Sequence, residues 1–182
     1  MRDQRTETSP ADAARGTRVG IVVSGYHAEV TDRLLAGAVD AFRAAGGADD
    51  GLLVVPAPGS WELLPVARAM VDRGDLDGVV CLGLILTGET THDRWLAHGL
   101  AGGLAALTER TGVPVAFGVL TCQSLEQARA RAGGDHGDKG REAMESTVGA
   151  IAAVRATRAA AIGGPLPGPP AIPASPAPEA AP

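Results

Sequence analysis

Between residues 18 and 160 the hydrophobic positions come in blocks of two kinds, short continuous runs and longer stretches with a helical period. Arg18 to Ser24 is a Val/Ile-rich run that predicts a strand. Ala28 to Ala45 then sets Val30, Leu34, Leu35, Ala38, Phe42 and Ala45 on one helical face, and Gly46-Gly47 closes the helix. Leu52 to Pro56 predicts a second strand, followed by a helix from about Trp61 to Asp72 that stops at Gly74. Gly78 to Leu86 is wholly apolar and predicts a third strand. A helix from about His92 to Thr111 ends at Gly112, and Pro114 to Leu120 predicts a fourth strand. The remainder to about Arg158 reads as helical, with a break near Gly133 to Gly140.

Strand and helix in strict alternation imply right-handed crossovers and a parallel sheet. Continuous apolar strands fit a sheet covered on both faces. The predicted class is α/β, a flavodoxin-like three-layer sandwich with a four-stranded parallel sheet. In such sheets ligands bind beyond the carboxyl ends of the strands. The residues that follow Ser24, Pro56, Leu86 and Leu120 are therefore the ones to search for chemistry.

The two ends of the chain have another character. Residues 1–17 are polar without a hydrophobic period and read as a flexible arm before a domain at 18–160. Eight of the thirteen prolines lie between Pro165 and Pro182, so residues 161–182 read as a Pro/Ala-rich disordered tail, unable to form helix or sheet ladders. The domain is hydrophobic enough to bury a core, but with aromatics at 3% that core is built from Val, Leu, Ile and Ala. A net charge of −5, with the signs interspersed, provides no basic stripe for a phosphate backbone, so nucleic acid is not an expected partner. Cys81 and Cys122 each sit in an apolar run and read as buried, reduced thiols. Without an apolar leader, or a run of roughly 18 apolar residues, no membrane association is expected and the location reads as cytoplasmic.

Four strand-end segments could carry chemistry. Tyr26, in Gly25-Tyr26-His27, either stacks on a planar ligand or packs under a loop. In Pro58-Gly59-Ser60-Trp61-Glu62, Ser60 and Glu62 offer a hydroxyl and a carboxylate suited to a polyol. They also fit a helix N-cap and a first-turn acid. The run Leu84-Ile85-Leu86-Thr87-Gly88-Glu89-Thr90-Thr91-His92-Asp93 takes a buried strand through a glycine turn into a helix, whose free N–H groups suit an anion. Thr90 and Asp93 have capping-box spacing, which puts the helix start near Thr91 and His92 in its first turn. An imidazole beside an anion pocket suits proton transfer near neutral pH, although a solvated surface histidine has the same sequence. Beyond Phe117-Gly118-Val119-Leu120-Thr121, Arg131 and Lys139 either complete a phosphate clamp or are merely solvated charges.

Taken as a series, these segments resemble lumazine synthase, 6,7-dimethyl-8-ribityllumazine synthase, over almost all of residues 18–158. The matching pieces are Pro58-Gly59-Ser60-Trp61-Glu62, Gly88-Glu89-Thr90-Thr91-His92, Thr111-Gly112-Val113-Pro114-Val115, Phe117-Gly118-Val119-Leu120-Thr121, Glu126-Gln127-Ala128, Arg131-Ala132-Gly133 and Lys139-Gly140, in order and without gaps. The resemblance implies condensation of 5-amino-6-ribitylaminouracil with 3,4-dihydroxy-2-butanone 4-phosphate, in riboflavin biosynthesis, with no metal or organic cofactor. It implies that Tyr26 stacks on the pyrimidine and that Ser60, Trp61 and Glu62 bind the ribityl chain. The backbone of Leu84, Ile85 and Leu86 would meet the pyrimidine. Glu89 and Thr90, with Arg131, would hold the phosphate, His92 would transfer protons, and Phe117 would arrive from an adjacent subunit. It implies a homo-pentamer with sites between neighbours, and the short Gly133–Lys139 loop favours a shell of roughly 60 subunits.

The sequence departs from the family pattern at Thr87, at Asp93-Arg94-Trp95, and at Asp135 and Asp138, which together make the phosphate end less positive. A catalytically weak, lumazine-synthase-like capsid or scaffold protein is the competing expectation. A flavin-binding module is a third, disfavoured because Gly25-Tyr26-His27-Ala28-Glu29 is a poor phosphate cradle.

Overall fold

In the computed structural model, which describes residues 12–160, the chain forms a parallel sheet of β1 (Val19–Ser24), β2 (Leu52–Ala57), β3 (Gly78–Leu86) and β4 (Val115–Cys122). The strand order is β2-β1-β3-β4. Between them run α1 (Ala28–Ala44), α2 (Leu63–Asp72) and α3 (His92–Thr111), and after them α4 (Leu125–Ala130) and α5 (Lys139–Ala159). The chain steps from β1 outward to β2, crosses back over β1 to β3, and continues outward to β4. The direction of winding therefore reverses between β1 and β3, which is where a doubly wound sheet opens a crevice.

Alternation of side chains along the strands supplies two cores. Val19, Ile21, Val23, Val80, Leu82 and Leu84 face α1 and α5, meeting Leu34, Phe42, Met144 and Val148. Val22, Val79, Cys81 and Ile85 face α2 and α3, meeting Leu63, Met70, Leu100 and Leu104. Each fully buried Leu, Val or Met contributes about 1.5–3 kcal/mol relative to exposure. Few aromatics are needed because small residues let the layers approach closely. A Cβ at Gly140 would overlap the carbonyl oxygen of Leu34, so α5 begins by lying directly on the α1 backbone.

The helix ends fall where glycine permits a left-handed turn: Gly46, Gly74 and Gly112 all have positive φ, at 82°, 74° and 65°. Three sequence expectations need correction. The sheet is not covered throughout, for β2 is an edge strand with Val54 exposed, and β4, the other edge, leaves Phe117 exposed. The helix expected from about Trp61 begins at Leu63, after a turn. The break near Gly133 contains a small antiparallel hairpin, β5 (Ala132–Gly134) and β6 (Gly137–Asp138).

Within the segment read as an arm, residues 12–17 form a packed turn: Ala14 and Thr17 are buried, and the Ala14 N–H donates to the Ala45 carbonyl at 2.8 Å. Residues 1–11, the rest of that arm, and the Pro/Ala tail from 161 to 182 lie outside the described residues. No helix among the described residues is long and apolar enough to cross a membrane.

Cys81 and Cys122 are free and buried, as the apolar runs around them predicted. Burial pushes the Cys81 thiol up to about 12 from an ordinary 9.0. The Cys122 thiol is also pushed up by burial, while the nearby Arg131 guanidinium pulls the other way. Both should therefore react slowly with a disulfide probe at pH 8 in the folded protein and readily after unfolding; rapid native labelling of Cys81 would contradict this packing. For Cys81 the raised value also sets a sign. Above pH 9 the unfolded thiol ionises while the folded one stays neutral, so stability falls as pH rises from 9.0 towards 12.

Candidate active site

Three strand ends and the start of α3 enclose a cleft of about 490 Å³ at the reversal between β1 and β3. It gathers Tyr26 after β1, Ser60, Trp61 and Glu62 after β2, Leu84, Ile85 and Leu86 at the end of β3, and Thr90 and His92 at the entry to α3. These are nine of the residues expected from sequence, in one place.

Each wall has a local cause. After β1 the chain must turn sharply into α1, and it does so with His27 in the left-handed region at φ 62°, an uncommon conformation for a residue with a Cβ. The His27 ring meets the Tyr26 ring edge-on, with centroids 4.7 Å apart and planes at 77°, and Tyr26 projects into the open, 67% exposed. The Tyr26 N–H donates to Ser24 Oγ at 3.2 Å.

Ser60 does not cap α2; Glu62 occupies the N-cap position without a side-chain cap bond. The Ser60 hydroxyl is buried and donates to the Leu84 carbonyl at 3.1 Å, filling the space left by Gly83. It thus ties the β2–α2 turn to the end of β3. Glu62 folds back over Gly59, where a Cβ would come within 2.9 Å of Glu62 Oε2.

The helix start near Thr91 is as expected, with Thr91 at the N-cap of α3, but the Thr90–Asp93 capping box does not form: Thr91 has no side-chain cap bond. Instead Thr90 Oγ1 accepts from the His92 N–H at 3.4 Å. His92 is exposed at the cleft, one turn before Leu96 on the same helix face. Glu89 does not line the cleft and is exposed in the loop between β3 and α3.

Phe117 and Arg131 do not join this cleft. They line a second one, also about 490 Å³, along edge strand β4 and beneath α5, together with Lys139 and Glu142. Arg131 is half-buried, donates to the Gln127 carbonyl at 3.1 Å, and makes no ion pair among the described residues. Lys139 is paired with Glu142. Asp138 bears on the departures noted in the sequence: its carboxylate caps α5, accepting from the N–H groups of Gly140 and Arg141 at 2.9 and 3.1 Å. That acid therefore serves the helix start and is not an extra charge loose in the cleft.

Sequence reasoning left His27, Gly59, Thr87, Gly88, Asp93 and Leu96 out of the site residues, although all line the first cleft. Leu96 carried a usable signal, four residues after His92. His27 carried one as well, in following β1 beside Tyr26, but its placement depends on a left-handed backbone conformation that histidine does not announce.

The first cleft holds an aromatic ring, a carboxylate and an imidazole, and the second holds two cations with an exposed phenyl ring. A model of the 6,7-dimethyl-8-ribityllumazine synthase family matches residues 16–155, a span that contains every residue of both clefts. The chain belongs to the lumazine synthase family, transferase enzymes of riboflavin biosynthesis.

Proposed function

We propose that the protein condenses 5-amino-6-ribitylaminouracil with 3,4-dihydroxy-2-butanone 4-phosphate to give 6,7-dimethyl-8-ribityllumazine, in sites shared between neighbouring chains of a homo-pentamer. The observation that carries this reading is the separation of the two clefts. His92 and Arg131 line different depressions of one chain, so a site that needs both takes each from a different subunit. The exposed Phe117 and Trp95, 40% and 71% accessible, supply apolar surface for such contacts.

In this reading Tyr26 stacks on the pyrimidine, whose polar edge meets the backbone of Leu84, Ile85 and Leu86. Trp61 and Glu62 hold the ribityl chain, with Ser60 acting on it through the Leu84 carbonyl. The N–H groups of the Glu89–Thr90 turn and the partner's guanidinium hold the phosphate; the Glu89 carboxylate, turned to solvent, stays clear of it.

The amine of the pyrimidine adds to the ketone and water leaves, giving the imine. Loss of the C3 proton as the phosphate leaves C4 as inorganic phosphate gives an enol that tautomerises to a C3 ketone. Ring closure by the ribitylamino nitrogen on that new carbonyl expels a second water. His92 moves protons in these steps. Both reactants are intrinsically reactive, so positioning carries most of the rate.

The test mixes purified protein with both substrates and follows lumazine absorbance and fluorescence. Steady production of lumazine supports the proposal. An assembled particle without turnover would favour the scaffold reading, and negative-stain images of the same sample distinguish pentamers from the shell that the short Gly133–Lys139 loop suggests.

A further inference from the structure

Helix α3 carries three glycines, at 99, 102 and 103, in a stretch where alanine would make a better helix. Their surroundings differ. At Gly102 an added Cβ would meet nothing within 4 Å. At Gly103 it would come within 2.6 Å of the Leu64 side chain, at the crossing of α2 and α3. At Gly99 its only neighbours would be two atoms at the outer edge of the Trp61 indole, Cζ3 at 3.0 Å and Cη2 at 3.2 Å. Two large side chains three residues apart, Trp61 and Leu64, thus enter two notches four residues apart on α3, as ridges enter grooves. Leu64 secures the helix crossing, whereas Trp61 stands at its open end, 51% exposed, as a wall of the first cleft.

We propose that Gly99 is a positioning residue for substrate: its missing side chain is the socket that seats the Trp61 indole and so sets the width of the polyol end of the cleft. This rests on the assignment of that cleft to the ribitylaminopyrimidine. A methyl group at position 99 forces the ring outward by a few tenths of an ångström, and the ring can yield because about half of Trp61 is exposed on this chain. The consequence is unusual in sign. Gly99→Ala strengthens the helix and raises thermal stability, yet weakens binding of the ribityl substrate.

The experiment compares Gly99→Ala with Gly102→Ala, each in the parent and in a Trp61→Phe background, whose shorter ring lacks the atoms that reach Gly99. In the parent background Gly99→Ala should raise KM for the ribitylaminopyrimidine about fivefold with kcat little changed, while Gly102→Ala leaves KM alone. With Trp61→Phe the Gly99→Ala increment should vanish. A second readout does not depend on turnover. Replacing Trp95 by Phe leaves Trp61 as the sole tryptophan of the two, and Gly99→Ala should then increase acrylamide quenching of its emission where Gly102→Ala does not. Equal quenching in the two glycine variants, or a KM effect of Gly99→Ala that persists undiminished with Trp61→Phe, would overturn the socket. Altered quenching in a protein that makes no lumazine would uphold the socket and remove only the assigned substrate.

Discussion

Replacing His92 by alanine should lower kcat by about 100-fold, with KM for either substrate close to that of the parent. The imidazole opens α3 at the cleft, beside the Thr90 turn, and in the proposed reaction its only task is to carry protons. Proton transfer by a placed side chain is worth about 10²–10⁴-fold, and the low end applies because the reactants condense readily by themselves. Arg131→Ala should divide the parameters differently. Its guanidinium is half-buried and without an acidic partner among the described residues, so it is available to a phosphate. Loss of a charge-assisted contact worth about 1.5–3 kcal/mol should raise KM for the butanone phosphate roughly 10- to 100-fold. Arg131→Lys should recover only part of this, since an ammonium lacks the planar fork. Steady-state kinetics with each substrate varied separates the two patterns. An unchanged kcat in His92→Ala would remove the imidazole from the mechanism.

The largest effect on stability should come from Gly140→Ala. This glycine is the second residue of α5 and lies against the backbone of α1, so a methyl group there would collide with the Leu34 carbonyl. The clash is with main chain and cannot be relieved by a rotamer change; the two helices must separate, loosening Leu34 and Met144 in the core between them. Overpacking of this kind costs about 3 kcal/mol, which in a domain of this size lowers Tm by about 10 °C. Gly149→Ala is the matched control. It lies in the same helix with nothing within 4 Å of its added Cβ, and it should be neutral or stabilising. A Gly140→Ala variant as stable as the parent would mean that α1 and α5 do not meet as closely as described.

Much of this architecture was legible in advance because the chain separates its periods cleanly. The third strand, Gly78–Leu86, and the helix His92–Thr111 coincide with the elements predicted, since an unbroken apolar run and a glycine stop leave little choice. The edge strands were misjudged for a physical reason: Leu52 to Ala57 is as apolar as β1, and sequence does not record that β2 has a neighbour on one side only. At the cleft, nine expected residues converge because they follow consecutive strand ends, which topology gathers automatically. Features decided by distant contacts were not legible. Ser60 reads like a helix cap, and only the nearby Gly83 and the Leu84 carbonyl turn it into a tie between strands. Asp138 reads like a stray acid, and only its place at the start of α5 makes it a cap.

The central claim, that each working centre draws its imidazole and its guanidinium from different chains, is tested most directly by subunit mixing. His92→Ala and Arg131→Ala proteins are unfolded together in equal amounts, refolded, and assayed for lumazine formation beside each variant refolded alone. The assay uses a butanone phosphate concentration well below the raised KM of Arg131→Ala, where that variant turns over slowly. If the centres are shared, random assembly restores intact pairs at roughly a quarter of the interfaces, and activity should rise to about that fraction of the parent. If the mixture is no more active than the average of its two components, both groups act from one chain and the shared site is wrong.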